Sequence, residues 1–162
     1  MILLTVLYAW QWTTTAALAG DRTTLRWLSF DKGVMEAQQT GKKILVDVYT
    51  TWCGWCKKMD ADTYNNGSVA SYLQGHYVLV RINAESATQL KYRGQNYSEQ
   101  DFARAFGVDG YPTTLFLKSN GDPITKFAGY ADASQFRDII AYIAEDHYLA
   151  KKFDEYMKGK KN

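Results

Sequence analysis

Residues 43–59 read K-I-L-V-D-V-Y-T-T-W-C-G-W-C-K-K-M, and the fold turns on this stretch. Lys43 to Tyr49 is β-branched and almost continuously apolar, the pattern of a strand covered on both faces. A helical pattern from Lys57 to about Tyr64 follows, and Asn65-Asn66-Gly67 stops it. The junction between strand and helix holds the chain's only two cysteines, Cys53 and Cys56, with Gly54 and Trp55 between them.

Working outward, helix and strand patterns alternate. Upstream, Lys32 to Thr40 has helical spacing and ends at Gly41, a C-cap residue. Downstream, Ser68 opens a short helix through Gln74, and Tyr77 to Asn83 (Y-V-L-V-R-I-N) is a second buried strand. Ala84 to Tyr97 is polar and aperiodic, which predicts a surface loop. Ser98 caps the next helix in a modified capping box with Asp101 at the third position, and Phe102, Ala105 and Phe106 form its apolar face. Thr113–Lys118 and Pro123–Phe127 then read as strands joined by Ser119-Asn120-Gly121-Asp122, with Asn-Gly as the hairpin signal. Ser134 caps a last helix running to about Asp146, and apolar residues at helical spacing from Tyr148 to Met157 predict a tail that packs back on the domain. Parallel β-α-β units followed by a hairpin give an α/β fold, a mixed central sheet flanked by helices on both faces.

The 162 residues are enough for one domain with its own core, and 46% hydrophobic against 22% charged with two prolines is a globular composition. A net charge of +2 with interspersed acids and bases lacks the electrostatic footprint of a nucleic-acid binder. Residues 1–19 are uncharged, run apolar from Ile2 to Trp10 and end in Ala17-Leu18-Ala19, which predicts a signal peptide cleaved after Ala19, although no basic residue follows Met1. The alternative, a membrane anchor, has an apolar run about half the ~20 residues a spanning helix needs. The domain is then residues 20–162, exported to the periplasm or secreted, where disulfides persist.

Two cysteines could staple the fold, bind a metal or exchange electrons. A staple across two intervening residues gains little, because loop-closure stabilisation falls as the loop shortens. Structural zinc needs about four ligands, and neither His76 nor His147 has ligand spacing to the cysteines, so no metal is expected. Redox chemistry fits. On a helix that starts at the first cysteine, positions i and i+3 share a face, and the helix N-terminus favours a thiolate. Cys53 is thus the candidate nucleophile and Cys56 the candidate resolving thiol, together a redox-active disulfide with no cofactor.

With W-C-G-W-C-K after a buried strand and Gly110-Tyr111-Pro112-Thr113 before the final hairpin, the chain resembles the thioredoxin superfamily from about Trp27 to Ile143, and exported thioredoxin-like proteins in particular. The resemblance implies that Asp47 is the buried acid beneath the resolving cysteine and can take its proton. It implies that Pro112 is the cis-proline beside the sulfurs, with the backbone of Tyr111 pairing with an extended substrate. Trp52, Gly54 and Trp55 join them as substrate-binding candidates, and Gly129 matches a loop glycine near the groove. Asp47 resembles the reducing branch and the Gly-Trp dipeptide carries no histidine, so a reductase of protein disulfides is preferred, monomeric and fed by a membrane-bound thiol donor. A thioredoxin-fold chaperone or adaptor that grips extended polypeptides with idle cysteines is the rival reading. A thiol peroxidase ranks last.

Overall fold

The computed structural model describes residues 24–160; the expected leader and its cleavage site lie outside the described residues. Helix α1 (Phe30–Thr40) ends at Gly41, whose φ of 71° gives the left-handed C-cap that glycine adopts without penalty. Strand β1 (Lys43–Tyr49) then enters the centre of the sheet, and α2 (Gly54–Met59) continues into one π-helical turn, Asp60–Tyr64. After α3 (Gly67–His76) and β2 (Tyr77–Asn83) come β3 (Gln89–Tyr92), β4 (Gln95–Ser98) and α4 (Glu99–Ala105). The chain closes with β5 (Thr113–Leu117), β6 (Pro123–Ala128), α5 (Ala133–Ala144) and α6 (Phe153–Lys160).

The main sheet has the order β2-β1-β5-β6. Strands β1 and β2 run parallel, whereas β5 is antiparallel to both β1 and β6. Leu28 bridges to Val80 and protects the β2 edge. The apolar run of β1 is explained by its central place, because its side chains feed two cores. Ile44, Val46 and Val48 face Phe30, Ala37, Leu90 and Phe102 under α1 and α4, while Leu45 faces Met59, Tyr64, Leu73, Phe116 and Phe136 on the other side. Asp47 shares the face of Leu45, so the alternation of β1 delivers a carboxyl into the second core.

Five local expectations are corrected. The segment 84–97 is not a loop throughout: residues 89–98 form the β3–β4 hairpin, Leu90 is buried, and the Lys91 N–H donates to Asp31 Oδ1 at 2.8 Å. Its two-residue turn, Arg93-Gly94, has both φ values positive (50° and 81°), and Arg93 is held there by Asp122 at 2.5 Å. Capping differs twice. Asn66 rather than Ser68 caps α3, accepting from Ser68 N–H, and Asp132 rather than Ser134 caps α5, accepting from Gln135 N–H at 2.9 Å. On α4, Ala103 takes the buried place expected of Ala105, which is exposed. The helix expected over 57–64 starts earlier, at Gly54, and widens at Asp60, where the Asn65 N–H reaches back five residues to Asp60 O at 3.1 Å. That register turns Thr63 and Tyr64 inward together.

The last helix packs back as expected. Tyr142 of α5 meets Phe153 and Tyr156 of α6 at 5.2 and 5.3 Å between ring centroids. Among the described residues, no helix is long and apolar enough to cross a membrane.

Candidate functional site

The carboxyl end of β1 and the start of α2 make the site. Cys53 and Cys56 are joined by a disulfide of 2.04 Å, with Cα atoms 5.3 Å apart. Cys53 is the N-cap of α2. Its backbone is extended, its carbonyl accepts from Lys57 N–H at 3.3 Å, and its Sγ accepts from Cys56 N–H at 3.0 Å. A helix N-terminus leaves N–H groups without intrahelical partners, and here one of them points at the first sulfur. A negative charge on Cys53 Sγ therefore meets a donor already in place, and no charged side chain has to supply it. Both cysteines are largely buried, and Gly54 is exposed between them.

Beneath the disulfide lies Asp47, only 3% exposed. The parallel register sets Asp47 directly opposite Arg81, whose Nε donates to Asp47 Oδ2 at 2.9 Å. Arg81 also donates to Asp60 Oδ1 at 2.6 Å, so one guanidinium bridges two carboxylates, with Trp27 4.3 Å from its carbon. Tyr64 approaches Asp47 Oδ1 at 3.4 Å and Thr114 Oγ1 at 3.3 Å. Burial pushes the Asp47 carboxyl up to about 6; the nearby Asp60 charge adds to this, while Arg81 and the Tyr64 hydroxyl oppose it. Asp47, Cys56, Lys57, Asp60 and Arg81 are among the residues that line one cavity of about 150 Å³, so the second cysteine and the carboxyl border the same space. Among the described residues, no group of three or more potential ligands could hold a metal.

Around the disulfide, the Tyr111–Pro112 peptide is cis, Pro112 is buried, and the Gly129 N–H donates to Pro112 O at 2.8 Å. Trp52 and Trp55 are 66% and 59% exposed, which decides their place on the surface rather than in the core. Trp52 meets Tyr111 edge-on at 6.1 Å, and its indole N–H donates to Glu85 Oε1 at 2.8 Å. Trp55 lies against Tyr130 at 5.4 Å.

Residues 30–144, more than half of the chain, match the family of thioredoxin-like domains. The chain belongs to that family. Within it, 106 residues are 35% identical to the thiol:disulfide interchange protein DsbD of Yersinia pestis (strain Pestoides F), covering 62% of this chain and 16% of that protein. A thioredoxin-fold protein from Helicobacter pylori superposes with a TM-score of 0.62 at 20% identity, over 75% of this chain and 80% of its own. A thioredoxin from Thermus thermophilus gives 0.60 at 21%, over 74% and 86%. These two likenesses concern the fold.

Of the residues singled out by the resemblance, Asp47, Trp52, Cys53, Gly54, Trp55, Cys56, Tyr111 and Pro112 lie toward this end of β1, and Gly129 joins them through its bond to Pro112 O. Sequence reasoning missed Arg81, Asp60, Tyr64, Glu85 and Tyr130. A signal was available for Arg81, a charge inside the otherwise apolar run Y-V-L-V-R-I-N, which demands a buried partner.

Proposed function

We propose that the protein is a thiol–disulfide oxidoreductase that reduces disulfides of other polypeptides outside the cytoplasm, with Cys53 as nucleophile and Cys56 as resolving thiol. The observation that carries this reading is a bonded Cys53–Cys56 pair at the N-cap of α2, above a buried carboxyl whose affinity for a proton is raised. The printed name of the Yersinia pestis relative, a thiol:disulfide interchange protein, supports it.

The cycle starts from the reduced pair. The Cys53 thiolate attacks one sulfur of a substrate disulfide, forming a Cys53–substrate disulfide and expelling the second substrate sulfur as a thiolate, which takes a proton. Asp47, ionised above about pH 6, accepts the Cys56 proton across the shared cavity. The resulting Cys56 thiolate attacks Cys53 Sγ, closes the Cys53–Cys56 bond and releases the first substrate sulfur, which is protonated. Two electrons and two protons have moved to the substrate, and the enzyme pair is oxidised. A thiol donor must then return two electrons, and a membrane-bound relay fits an exported enzyme. Tyr111 beside cis-Pro112 offers backbone to an extended substrate strand, with Trp52, Gly54 and Trp55 around it. The expected leader, residues 1–19, provides the export.

Equilibration of the pair in dithiothreitol buffers tests the direction. A reductase predicts a potential near about −270 mV, whereas a value near about −120 mV makes the protein an oxidant. Trapping tests the chemistry: Cys56→Ala accumulates a mixed disulfide and Cys53→Ser none. Full biological activity in both variants assigns the protein instead to the chaperone or adaptor class.

A further inference from the structure

Two of the four large apolar side chains that stand exposed among the described residues, Trp52 and Trp55, flank the disulfide. They are held differently. Trp52 is tied by its indole N–H to Glu85, whereas the Trp55 indole N–H makes no hydrogen bond among the described residues, and its ring lies against Tyr130. Tyr130 is itself fixed. It follows Gly129, whose φ of 95° and N–H bond to Pro112 O set the loop, and the Lys58 ammonium lies 5.6 Å from its ring centroid. Lys58 is in turn paired with Asp62 at 2.5 Å. The result is an aromatic corner with a backed wall, Tyr130, and an open one, Trp55. It touches the place where any substrate must sit, because a mixed disulfide on Cys53 forms one residue from Gly54 and two from Trp55.

We infer that Trp55 and Tyr130 form a side-chain subsite that selects an aromatic or large aliphatic residue next to the cystine of an extended polypeptide. This rests on the redox reading above and names its substrate class: unfolded or extended chains whose disulfides lie in apolar sequence. The chemistry follows from the surface. A tryptophan about three-fifths exposed gains by covering its apolar face, and tilted or edge-on contact with a further ring suits the quadrupole of both aromatics. Lys58, which lies over the Tyr130 ring, is paired with Asp62, and the two side chains of the corner are themselves uncharged.

The test uses the reduced protein and two disulfide-bonded peptides that differ only in Phe or Ser beside the cystine, with dithiothreitol as electron donor. The intact protein is expected to favour the Phe peptide about 10-fold in kcat/KM, the scale of an aromatic contact with its buried area. Trp55→Ser and Tyr130→Ala each bring the ratio to within about 2-fold. A ratio is read rather than a rate because any change in Cys53 reactivity acts on both peptides alike and cancels. Trp55 is largely exposed, so its replacement leaves the fold intact even where Tyr130→Ala disturbs packing. Equal rates for the two peptides with the intact protein, or a preference that survives Trp55→Ser, overturns the subsite while leaving the redox reading standing. Reduction of neither peptide overturns the redox reading and the subsite with it. Dimerisation at assay concentration that Trp55→Ser abolishes assigns the corner to a second copy instead and also overturns the proposal.

Discussion

Replacing Asp47 by asparagine should change how stability depends on pH, and the size of the change can be worked from its surroundings. The folded carboxyl titrates at about 6 against an ordinary 3.8, so keeping it ionised in the fold costs about 3 kcal/mol. The native state therefore holds a proton between roughly pH 4 and pH 6 that the unfolded chain has already lost. Stability on account of this group falls as pH rises through that window, and the whole deficit is present above about pH 6. Asparagine keeps one oxygen to accept from the Arg81 Nε donor, turns its amide N–H toward the Tyr64 hydroxyl oxygen, and never ionises. Guanidinium unfolding of the oxidised protein at pH 4 and pH 7.5 should thus show the variant gaining about 2.5 kcal/mol relative to the parent between the two conditions, because the unfolded carboxyl is already more than half ionised at pH 4. All other titrations are common to both proteins and drop out of the difference. Catalysis should suffer at the same time, because the amide cannot accept the Cys56 proton. Release of a preformed Cys53 mixed disulfide at pH 7 is expected to slow about 100-fold, the scale of a lost general base. An unchanged gap between the two proteins at both pH values shows that Asp47 titrates as an ordinary carboxyl and refutes its assignment as the buried base.

Arg81→Leu leaves Asp47 without its cation, raising its titration above 6 and costing ~2–3 kcal/mol at pH 7, less than a fully buried pair because Arg81 keeps some exposure; chemical unfolding and the pH midpoint of resolution both report it. Gly33→Ala sets a Cβ 2.1 Å from Val80 Cγ2 where α1 meets β2, and this overpacking should exceed the ~1 kcal/mol that alanine brings to a helix, for a net loss of ~1–2 kcal/mol in the same unfolding assay.

Much of this architecture was legible because its signals are local. The run from Ile44 to Val48 announces a strand buried on both faces, and Asn120-Gly121 announces a hairpin. The β3–β4 hairpin was not legible. Arginine seldom takes a positive φ, and what holds Arg93 there is Asp122, 29 residues away. The caps at Asn66 and Asp132 compete with serines two residues further on, a choice that tertiary packing settles. In the site, Asp47 could be placed from the sequence, but its electrostatics could not. Arg81 and Asp60 meet it only through the β1–β2 register and the π-helical turn, and neither leaves a short-range trace. Tyr130 is likewise joined to Trp55 by the loop at Gly129 rather than by any spacing.

The most direct measurement is the ultraviolet titration of the Cys53 thiolate in a Cys56→Ser variant, where only one sulfur ionises. With a backbone N–H already directed at Cys53 Sγ, its pKa should fall below the ~8.5 of a free cysteine. A thiol that stays protonated to about pH 8.5 or beyond contradicts the nucleophile assignment and leaves the fold without its proposed chemistry.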